Sequence, residues 1–293
     1  MAAQFHRSGT RGARWILSAP LLVFLLLVVA YAAFSGIETS FQDRTLLNPE
    51  PSFTGFANYA TVLNDSTFWS SLGFTVFYTV AVTVVELLLG FGLALLFDRG
   101  FPGKRWLLSV IIIPIMVAPS LMGIMFRLIL NDNIGTIPAV FKAIGSDISL
   151  FSGSNVIPLV VALDLVQWTP FTFLLLYSAL QSVPQELYEA ASIDRAGYWR
   201  VVKSIIVPLI VPTLVITGFL RAIDAFRTFD TIYILTGGGP GTKTTTLSIY
   251  IYKVLSGGNF GVASAAAVIV ALITLPLVPL VVGRITRGAL ANL

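Results

Sequence analysis

Six long runs of apolar residues limit the folds open to this chain more than any other feature. They cover approximately residues 15–35, 72–97, 106–129, 156–180, 204–222 and 262–283. Each run can supply the ~20 residues that a helix needs to cross ~30 Å of hydrocarbon. Lipid offers the backbone no hydrogen-bonding partner, and runs this long without polar alternation indicate helices and not barrel strands. The sequence therefore predicts an all-α, polytopic domain of six transmembrane helices.

The composition agrees with an integral membrane protein. Of the 293 residues, 56% are hydrophobic and 11% are charged, whereas soluble domains carry about 25% charged residues. The mean hydropathy is +0.88. The polar segments between the runs are short, so we predict a tail at residues 1–14 and a single transmembrane domain over residues 15–293.

The placement of lysine and arginine predicts the orientation in the membrane. Eleven of the eighteen basic residues fall on the side of the N-terminus: Arg7, Arg11, Arg14, Arg99, Lys104, Arg105, Arg195, Arg200, Lys203, Arg284 and Arg287. Because short basic loops stay in the cytoplasm, both termini and the loop that contains Glu189 are predicted to be cytoplasmic. Contact of these loops with anionic membrane lipid also accounts for the net charge of +4 without a nucleic-acid partner.

The N-terminus has an alternative interpretation as a cleaved signal peptide. Basic residues at 7–14, an apolar run from Trp15 and the small residues at 30–32 imitate such a peptide. The run is long for a signal peptide, and cleavage would leave an odd number of spans, so we favour an uncleaved first span.

Cysteine and histidine usage argues against several chemistries. The chain has no cysteine, which excludes disulfides, thiolate metal sites and cysteine nucleophiles. Its single histidine, His6, lies in the basic tail, where a solvated side chain is expected and a catalytic or metal role is not.

The polar segment 181–203 lies between two apolar runs and is suited to contact with a soluble partner. Ser182 and Gln185 fit a capping box, and Pro184 fits the first turn of a short helix. Ala190, Ala191 and Ala196 would leave one face thin enough to enter a partner's groove, and Gly197 offers a break before the membrane.

This segment also resembles the EAA loop of ATP-binding-cassette importer permeases. The matching positions are Glu189, Ala190, Ala191, Asp194, Ala196, Gly197, Ile205 and Pro208. The whole chain is similar to the six-span permeases of the carbohydrate-uptake branch, such as those for maltose or glycerol phosphate, with a type I importer fold. The family's usual glycine after the aspartate is Arg195 here.

The resemblance implies that an ATP-binding subunit docks on this loop. The coupling residues that it implies are Glu189, Ala190, Ala191, Asp194 and Gly197. The alternative is an ordinary amphipathic linker helix.

The glycine-rich stretch 237–244 imitates a phosphate-binding loop. Thr242 occupies the place of the second required glycine, and no strand precedes the stretch. We therefore interpret the match as coincidental and predict no phosphate-binding loop here. With residues 229–230, 236 and 246–247, it resembles the family's signature between the last two spans. The consecutive glycines and the proline of this stretch predict a tight external turn. Leu247, Tyr250, Ile251 and Val254 then follow helical spacing and predict a short interfacial helix.

Two further stretches carry the resemblance. Residues 114–135 are similar to the family's third span and its outer end, and residues 167–184 are similar to the fourth. The resemblance covers most of the chain from about residue 50 and is strongest over residues 164–253.

Ionisable residues inside the predicted spans mark candidate functional positions. A charge at mid-bilayer costs about 2.5–3.5 kcal/mol, so it needs a partner or a water-filled path. Glu86, Asp164, Arg221 and Asp224 are such residues. We expect Asp224 to be the carboxylate nearest to Arg221. For Glu86, a contact between helices is favoured over contact with a ligand.

In maltose-type permeases, the fourth and fifth spans line the sugar cavity. The resemblance implies a substrate path in which Asp164, Gln167, Trp168 and Phe171 face Arg221, Asp224 and Thr228. Carboxylates and amides suit sugar hydroxyls, and an aromatic face suits the C–H groups of the ring. The alternatives are a purely structural Arg221–Asp224 pair, and Trp168 as core or as an interface anchor.

These observations together predict one transmembrane subunit of an ATP-driven importer for a sugar-like solute. The implied partners are a second homologous permease, a cytoplasmic ATP-binding subunit and an extracytoplasmic solute-binding protein. The chain itself would hold no cofactor, because ATP and Mg²⁺ would bind the ATP-binding subunit. The predicted location is the cytoplasmic membrane of a prokaryote.

Two rival functions remain to be weighed. An ion-coupled secondary transporter is expected to show inverted repeats and broken mid-membrane helices, and we find no convincing internal repeat. An intramembrane enzyme is disfavoured by the lack of cysteine, of intramembrane histidine and of a close carboxylate pair within a span.

Hexoses, disaccharides, polyols, and sugar phosphates or sulfonates would all suit a polar cavity with one arginine.

Overall fold

The computed structural model describes residues 9–48, 50–145 and 149–276, and these residues form helices joined by short connections. The helices are α1 (Gly9–Ser40), α2 (Ala57–Asn64), α3 (Ser66–Asp98), α4 (Lys104–Met116), α5 (Pro119–Ile129), α6 (Thr136–Ala143), α7 (Val156–Gln181), α8 (Gln185–Ile193), α9 (Tyr198–Val201), a π-helical segment (Val202–Ile206), α10 (Val207–Phe226), α11 (Asp230–Thr236), α12 (Leu247–Ser256) and α13 (Phe260–Thr274). The predicted all-α fold class is confirmed.

Four helices in this part of the chain are long and apolar enough to cross a membrane: Leu17–Ser40, Ser66–Asp98, Val156–Gln181 and Tyr198–Phe226. They correspond to the first, second, fourth and fifth predicted spans. The fifth begins earlier than predicted, so that residues 198–203 of the predicted coupling loop belong to its helix. The sixth predicted span begins as α13, and its residues 277–283 lie outside the described residues.

The third predicted span is broken, which corrects the expectation of one helix over 106–129. Helices α4 and α5 meet at an angle of 96°. Val117 and Ala118 have non-helical backbone angles at the break. For Ala118 the reason is Pro119, since the residue before a proline is disfavoured in the helical region. Gln167 Nε2 donates to Val117 O at 3.1 Å, and Thr231 Oγ1 donates to Pro119 O at 3.2 Å. Side chains from α7 and α11 therefore bond to backbone carbonyls on both sides of the break.

Helices α3 and α7 approach each other closely at Gly90. A Cβ atom at this position would lie 2.5 Å from Thr172 Oγ1 and 2.9 Å from Phe173 N. Thr172 Oγ1 also donates to the carbonyl of Glu86 at 3.0 Å. A small residue and an interhelical hydrogen bond at one contact are typical of helix packing in membranes.

Apolar side chains fill the space among α3, α7, the π-helical segment and α10. Phe97 and Phe173 are fully buried there, with their ring centroids 5.1 Å apart in an edge-to-face arrangement. Leu176, Leu180, Ile206 and Ile210 belong to the same buried cluster. Since α7 and α10 flank the α8 segment in the chain, this cluster fixes both ends of that segment.

The predicted capping box of the short helix is wrong, although the helix itself, α8, is present. Helix α7 extends to Gln181, so that Ser182 is its C-terminal cap and its Oγ donates to Ala179 O at 2.7 Å. Pro184, expected in the first turn, is the N-cap of α8 and provides no side-chain hydrogen bond.

The chain divides into two compact units, residues 1–64 with 253–272 and residues 65–252 with 273–293. In the first unit, Asn58 Nδ2 donates to Ser40 O at 2.9 Å and to Gln42 O at 2.8 Å. A Cβ atom at Gly261 would lie 2.2 Å from Gln42 O, so glycine is required there. The prediction of one domain over residues 15–293 stays a prediction.

Several predictions fall at the chain ends. Helix α1 begins at Gly9, inside the predicted tail, and residues 1–8 with His6 and Arg7 lie outside the described residues. The same holds for Arg284, Arg287 and the C-terminus.

The glycine-rich stretch forms a turn between two helices. Gly237, Gly238 and Gly241 have positive φ angles of 61°, 86° and 62°. Buried Thr244 and Thr245 donate to the carbonyls of Gly239 and Gly238 at 2.7 and 2.9 Å. The stretch follows helix α11 and not a strand, which agrees with the interpretation that its match to a phosphate-binding loop is coincidental. The predicted helix after it is α12, and its location in the interface stays a prediction.

Candidate functional site

Arg221 on α10 is the centre of a buried ion-pair cluster. Its side chain is 1% exposed. Its Nε donates to Glu86 Oε2 at 2.5 Å and its Nη2 donates to Glu86 Oε1 at 3.1 Å. Its Nη2 also donates to Asp164 Oδ2, and its Nη1 donates to Asp224 Oδ2 at 3.3 Å.

The expectation that Asp224 is the carboxylate nearest to Arg221 is wrong. Glu86 and Asp164 are both buried and both lie closer to the guanidinium than Asp224 does. Asp224 is shared with Arg227, which donates to its Oδ1 from Nε at 3.2 Å and from Nη2 at 2.9 Å. A buried arginine needs such partners, because an uncompensated charge in this environment is strongly destabilising.

The cluster connects three membrane helices that are distant in sequence. Glu86 lies on α3, Asp164 on α7 and Arg221 on α10. Glu86 therefore makes the predicted contact between helices. It also converges with Asp164 on one guanidinium, so two carboxylates meet here although no span carries a close pair in its own sequence.

An open cavity of about 360 Å³ borders this cluster. Its lining residues are Trp168, Phe171, Leu220, Arg221, Ile223, Asp224 and Arg227. The guanidinium carbon of Arg221 lies 5.2 Å from the centroid of the Trp168 ring. The Trp168 and Phe171 rings meet edge to face, with centroids 6.3 Å apart. An aromatic wall thus adjoins a charged, hydrogen-bonding wall.

Four of the seven residues predicted for the substrate path line this cavity: Trp168, Phe171, Arg221 and Asp224. The other three do not line it. Asp164 lies behind the guanidinium, and Gln167, 1% exposed, supports the break before Pro119. Thr228 follows the end of α10 at Phe226, so the predicted helical stripe stops before it.

Sequence reasoning missed three lining residues, Leu220, Ile223 and Arg227. Arg227 could have been found from its place three residues after Asp224, a spacing at which helical side chains meet. For Leu220 and Ile223, the apolar sequence holds no signal that separates a cavity wall from a lipid-facing surface.

A second cavity, of about 310 Å³, is lined in part by residues of the third span and of the glycine-rich signature, both of which carried the family resemblance. Its lining residues are Arg127, Asn131, Phe151, Leu235, Thr236, Gly239 and Pro240. Arg127 Nη1 donates to Ile234 O at 3.0 Å, which connects α5 to α11, the helix before the glycine-rich turn.

The predicted coupling residues lie on and after α8, and four of the five are exposed. Glu189, Ala190, Asp194 and Gly197 are exposed, whereas Ala191 is buried. Ala196 is half-buried. Of the three alanines expected to form a thin face, only Ala190 is exposed, and its contact with a partner stays a prediction.

Polar and aromatic side chains meet at the helix ends around α8. Burial raises the pKa of the Tyr188 phenol, and the nearby Asp98 carboxylate raises it further. Gln181 Nε2 donates to Asp98 Oδ1 at 3.3 Å. The guanidinium carbon of Arg99 lies 4.2 Å from the Tyr198 ring centroid. The end of α3 therefore contacts residues on both sides of α8 in the chain, and Tyr188 of α8 packs against the buried cluster that contains Phe97 and Phe173.

Helix α8 ends in a Schellman motif at Arg195. Ala196 N donates to Ala191 O at 2.9 Å and Arg195 N donates to Ser192 O at 3.1 Å, the two hydrogen bonds that define the motif. Arg195 has a φ of 51°, in the left-handed region that favours glycine. Arginine thus adopts the backbone conformation for which the family's usual glycine is suited.

Residues 86–285 match the protein family described as the binding-protein-dependent transport system inner membrane component. The chain belongs to this family. The permease is 33% identical over 277 residues to the trehalose/maltose transport system permease protein MalF of Thermococcus litoralis, with 93% of this chain and 94% of the relative covered.

Two other relatives have different names. The permease is 34% identical over 259 residues to the sulfoquinovosyl glycerol transport system permease protein SmoG of Agrobacterium fabrum, with 87% of this chain and 84% of the relative covered. It is 32% identical over 272 residues to the sn-glycerol-3-phosphate transport system permease protein UgpA of the same organism, with 90% and 91% covered.

The fold matches a solved structure over nearly its whole length. A crystal structure of a bacterial ABC transporter involved in the import of the acidic polysaccharide alginate contains a chain with a TM-score of 0.81 and 21% identity. The match covers 94% of the permease and 96% of that chain. At this identity the comparison shows the fold alone.

The family decides between the rival functions. The permease is a multi-pass inner-membrane subunit of an ABC importer, and it is a transport subunit and not an enzyme. The broken third span is a feature expected of the rival secondary transporter. That rival was also expected to show an inverted repeat, and the sequence has no convincing internal repeat. The main prediction is confirmed over an ion-coupled secondary transporter.

Proposed function

We propose that this permease forms half of the translocation path for a carbohydrate-like solute. The observation that carries the proposal is the cavity in which Trp168 and Phe171 adjoin Arg221, Asp224 and Arg227. Aromatic rings suit the C–H faces of sugar rings, and carboxylate and guanidinium groups bind hydroxyls. The relatives' names, which include trehalose, maltose, sulfoquinovosyl glycerol and sn-glycerol 3-phosphate, support a solute of this kind.

A second homologous permease would supply the other half of the path, and an extracytoplasmic solute-binding protein would deliver the solute. The cavity is open on one side, as expected of a wall that a partner completes. The family's description as a binding-protein-dependent system supports the delivery step.

A cytoplasmic subunit that binds ATP and Mg²⁺ would dock on the exposed surface of Glu189, Ala190, Asp194 and Gly197, with Ala191 behind it. Movement of α8 would pass to the fourth and fifth spans, which flank it in the chain. ATP binding then shifts the balance between inward-open and outward-open states to the extent that the two states differ in affinity for that subunit.

The orientation proposed here has both termini and α8 in the cytoplasm and the glycine-rich turn outside. Arg99 lies in the short loop after α3 and Lys104 and Arg105 begin α4, whereas Arg195, Arg200 and Lys203 follow α8. This bias of basic residues in short loops supports the proposal.

Reconstitution in proteoliposomes tests the proposed function. The permease, assembled with its second permease and its ATP-binding subunit, is expected to take up labelled trehalose or maltose when ATP and the loaded binding protein are present. The permease alone should neither hydrolyse ATP nor accumulate sugar under a proton or sodium gradient. Gradient-driven uptake by the permease alone would contradict the proposal.

A further inference from the structure

We infer that the cavity wall built by this chain is selective for uncharged saccharides over anionic ones such as sugar phosphates and sulfonates. The inference rests on the proposed function and specifies its solute class. A cavity with an arginine would suit an anion if the guanidinium were free. The contacts of Arg221 show that it is not.

Carboxylates use most of the hydrogen-bonding capacity of Arg221. A guanidinium carries five N–H donors. Two of those on Arg221 go to Glu86, one goes to Asp164 and one goes to Asp224. At most one N–H is left for a solute, and the positive charge is already balanced.

Arg227, the other basic residue among those that line the cavity, is paired as well. Its Nε and Nη2 both donate to Asp224 Oδ1. Its side chain is 76% exposed, so water screens the charge that remains. An anion that bound Arg227 would also lie against the carboxylate of Asp224.

The charges of the cluster therefore oppose an anion. With every group ionised, three carboxylates face two guanidiniums, which leaves one net negative charge. Protonation of one buried carboxyl would make the cluster neutral, and never positive. An anion could reach only the one free N–H of Arg221 or displace Asp224, because displacing Glu86 or Asp164 would leave a buried carboxylate without its partner.

An uncharged sugar meets no such opposition. Asp224, whose side chain is 29% exposed, offers carboxylate oxygens to hydroxyls. The remaining N–H groups of Arg221 and Arg227 can donate to hydroxyl or ring oxygens. Trp168 and Phe171 offer apolar faces, and the volume of about 360 Å³ lies within the range of roughly 300–1,000 Å³ for small-molecule sites.

The test measures direct binding to the complex of this permease, its second permease and its ATP-binding subunit in nanodiscs. The binding protein is omitted, so that its own specificity does not contribute. Trehalose and trehalose 6-phosphate, and maltose and maltose 6-phosphate, are the matched probes. We expect the uncharged sugar of at least one pair to bind about tenfold or more tightly than its phosphate ester.

Two variants of opposite charge effect assign the selectivity to this chain. Asp224→Asn removes the carboxylate that both arginines share, so the ratio of the two dissociation constants should fall severalfold toward one. Arg227→Gln removes an exposed cation, so the ratio should rise. Asp230→Asn is the matched control, because it removes the same charge six residues further along the chain from an exposed position outside the cavity, and should leave the ratio unchanged.

The outcomes separate this inference from the proposed function. Equal or tighter binding of the phosphate ester by the native complex would overturn the selectivity and leave carbohydrate transport intact. An unchanged ratio in both Asp224→Asn and Arg227→Gln would overturn the assignment to this wall. Absence of binding by either class, with uptake also absent, would overturn the carbohydrate function and the inference with it.

Discussion

At the scale of single residues, buried charges and one strained backbone position determine which substitutions should affect the stability of this permease. Arg221 holds Glu86 and Asp164 from two other helices, and all three side chains are nearly inaccessible to water. Arg227, six residues away on the chain, pairs with a carboxylate at a largely exposed position. The two arginines thus differ in burial and in the number of their carboxylate partners, so a comparison of the two measures what the buried cluster contributes.

Replacement of Arg221 by leucine should prevent stable assembly, because it leaves Glu86 and Asp164 buried without their cation. Removal of one member of a buried ion pair costs about 3–5 kcal/mol. Arg227→Leu should cost about 1 kcal/mol or less, as for other exposed pairs. Membrane yield and the thermal unfolding midpoint in detergent measure both. Equal stability of the two variants would contradict the structural role of the buried cluster.

Arg195→Gly should stabilise the end of α8. Glycine adopts the left-handed conformation of this position without steric cost, whereas a side chain there costs about 1 kcal/mol. Arg195→Ala is the control, because it removes the same charge and keeps the Cβ atom. The rate of chymotrypsin cleavage at Tyr188 and Tyr198 should be slower in the glycine variant than in the alanine variant. Equal rates would show that the conformation is not strained.

At the scale of elements, close packing of α3 on α7 and the position of α8 carry the proposed coupling. Gly90 lies against Thr172 and Phe173, in the same interface between α3 and α7 that buries Phe97. On the two sides of α8 in the chain, Gln181 of α7 donates to Asp98 of α3, and Arg99 lies over the Tyr198 ring at the start of the fifth span. A rigid α3–α7 pair would give a displacement of α8 a fixed structure on which to act.

Gly90→Val should separate α3 from α7 and reduce assembly. The added Cβ alone would lie 2.5 Å from Thr172 Oγ1 and 2.9 Å from Phe173 N, and overpacking costs about 1–3 kcal/mol. Gly92→Val is the matched control two residues away, where a Cβ would meet nothing within 4 Å. Thermal stability in detergent distinguishes the two. A similar loss in both variants would mean that valine itself, and not the helix contact, is responsible.

Glu189→Lys should release the ATP-binding subunit and leave membrane insertion intact, because it reverses the charge of an exposed side chain on the proposed docking surface. Glu186→Lys makes the same change in the first turn of the same helix, outside the matching positions of the family loop, and is expected to retain the subunit. Co-purification and ATP-dependent uptake are the measurements. Normal co-purification and uptake in Glu189→Lys would contradict the coupling role.

The elements could be predicted from the sequence further than their contacts could. Apolar runs indicate membrane helices directly, since length and composition decide insertion. Pro114, Pro170 and Pro212 lie inside helices, whereas Pro119 begins a new one. The local sequence does not distinguish these cases, since the side chains that bond to the backbone at the break, Gln167 and Thr231, come from other helices.

The site shows the same division. Trp168, Phe171, Arg221 and Asp224 were found because they recur along single helices and match the family pattern. The pairing of Arg221 with Glu86, 135 positions away, is set by how α3 packs beside α10 and leaves no trace in sequence spacing. Ala191 faces inward for a similar reason, because the core beneath α8 decides which alanine is covered.

At the scale of the whole molecule, the proposed function requires that α8 and the glycine-rich turn lie on opposite sides of the membrane. One continuous span, Tyr198–Phe226, separates them in the chain. An odd number of crossings between two points places them on opposite faces. The basic residues beside α8 predict that its face is the cytoplasmic one.

Cysteine labelling tests this orientation, and the native chain has no cysteine to interfere. Ser192→Cys lies at an exposed position of α8, and Thr242→Cys lies at an exposed position of the glycine-rich turn. A membrane-impermeant maleimide should label Thr242→Cys in intact spheroplasts and Ser192→Cys only after permeabilisation. The reverse pattern would place α8 outside, away from cytoplasmic ATP, and would contradict both the coupling surface and the direction of transport. Equal labelling of both in intact spheroplasts would contradict the single crossing between them.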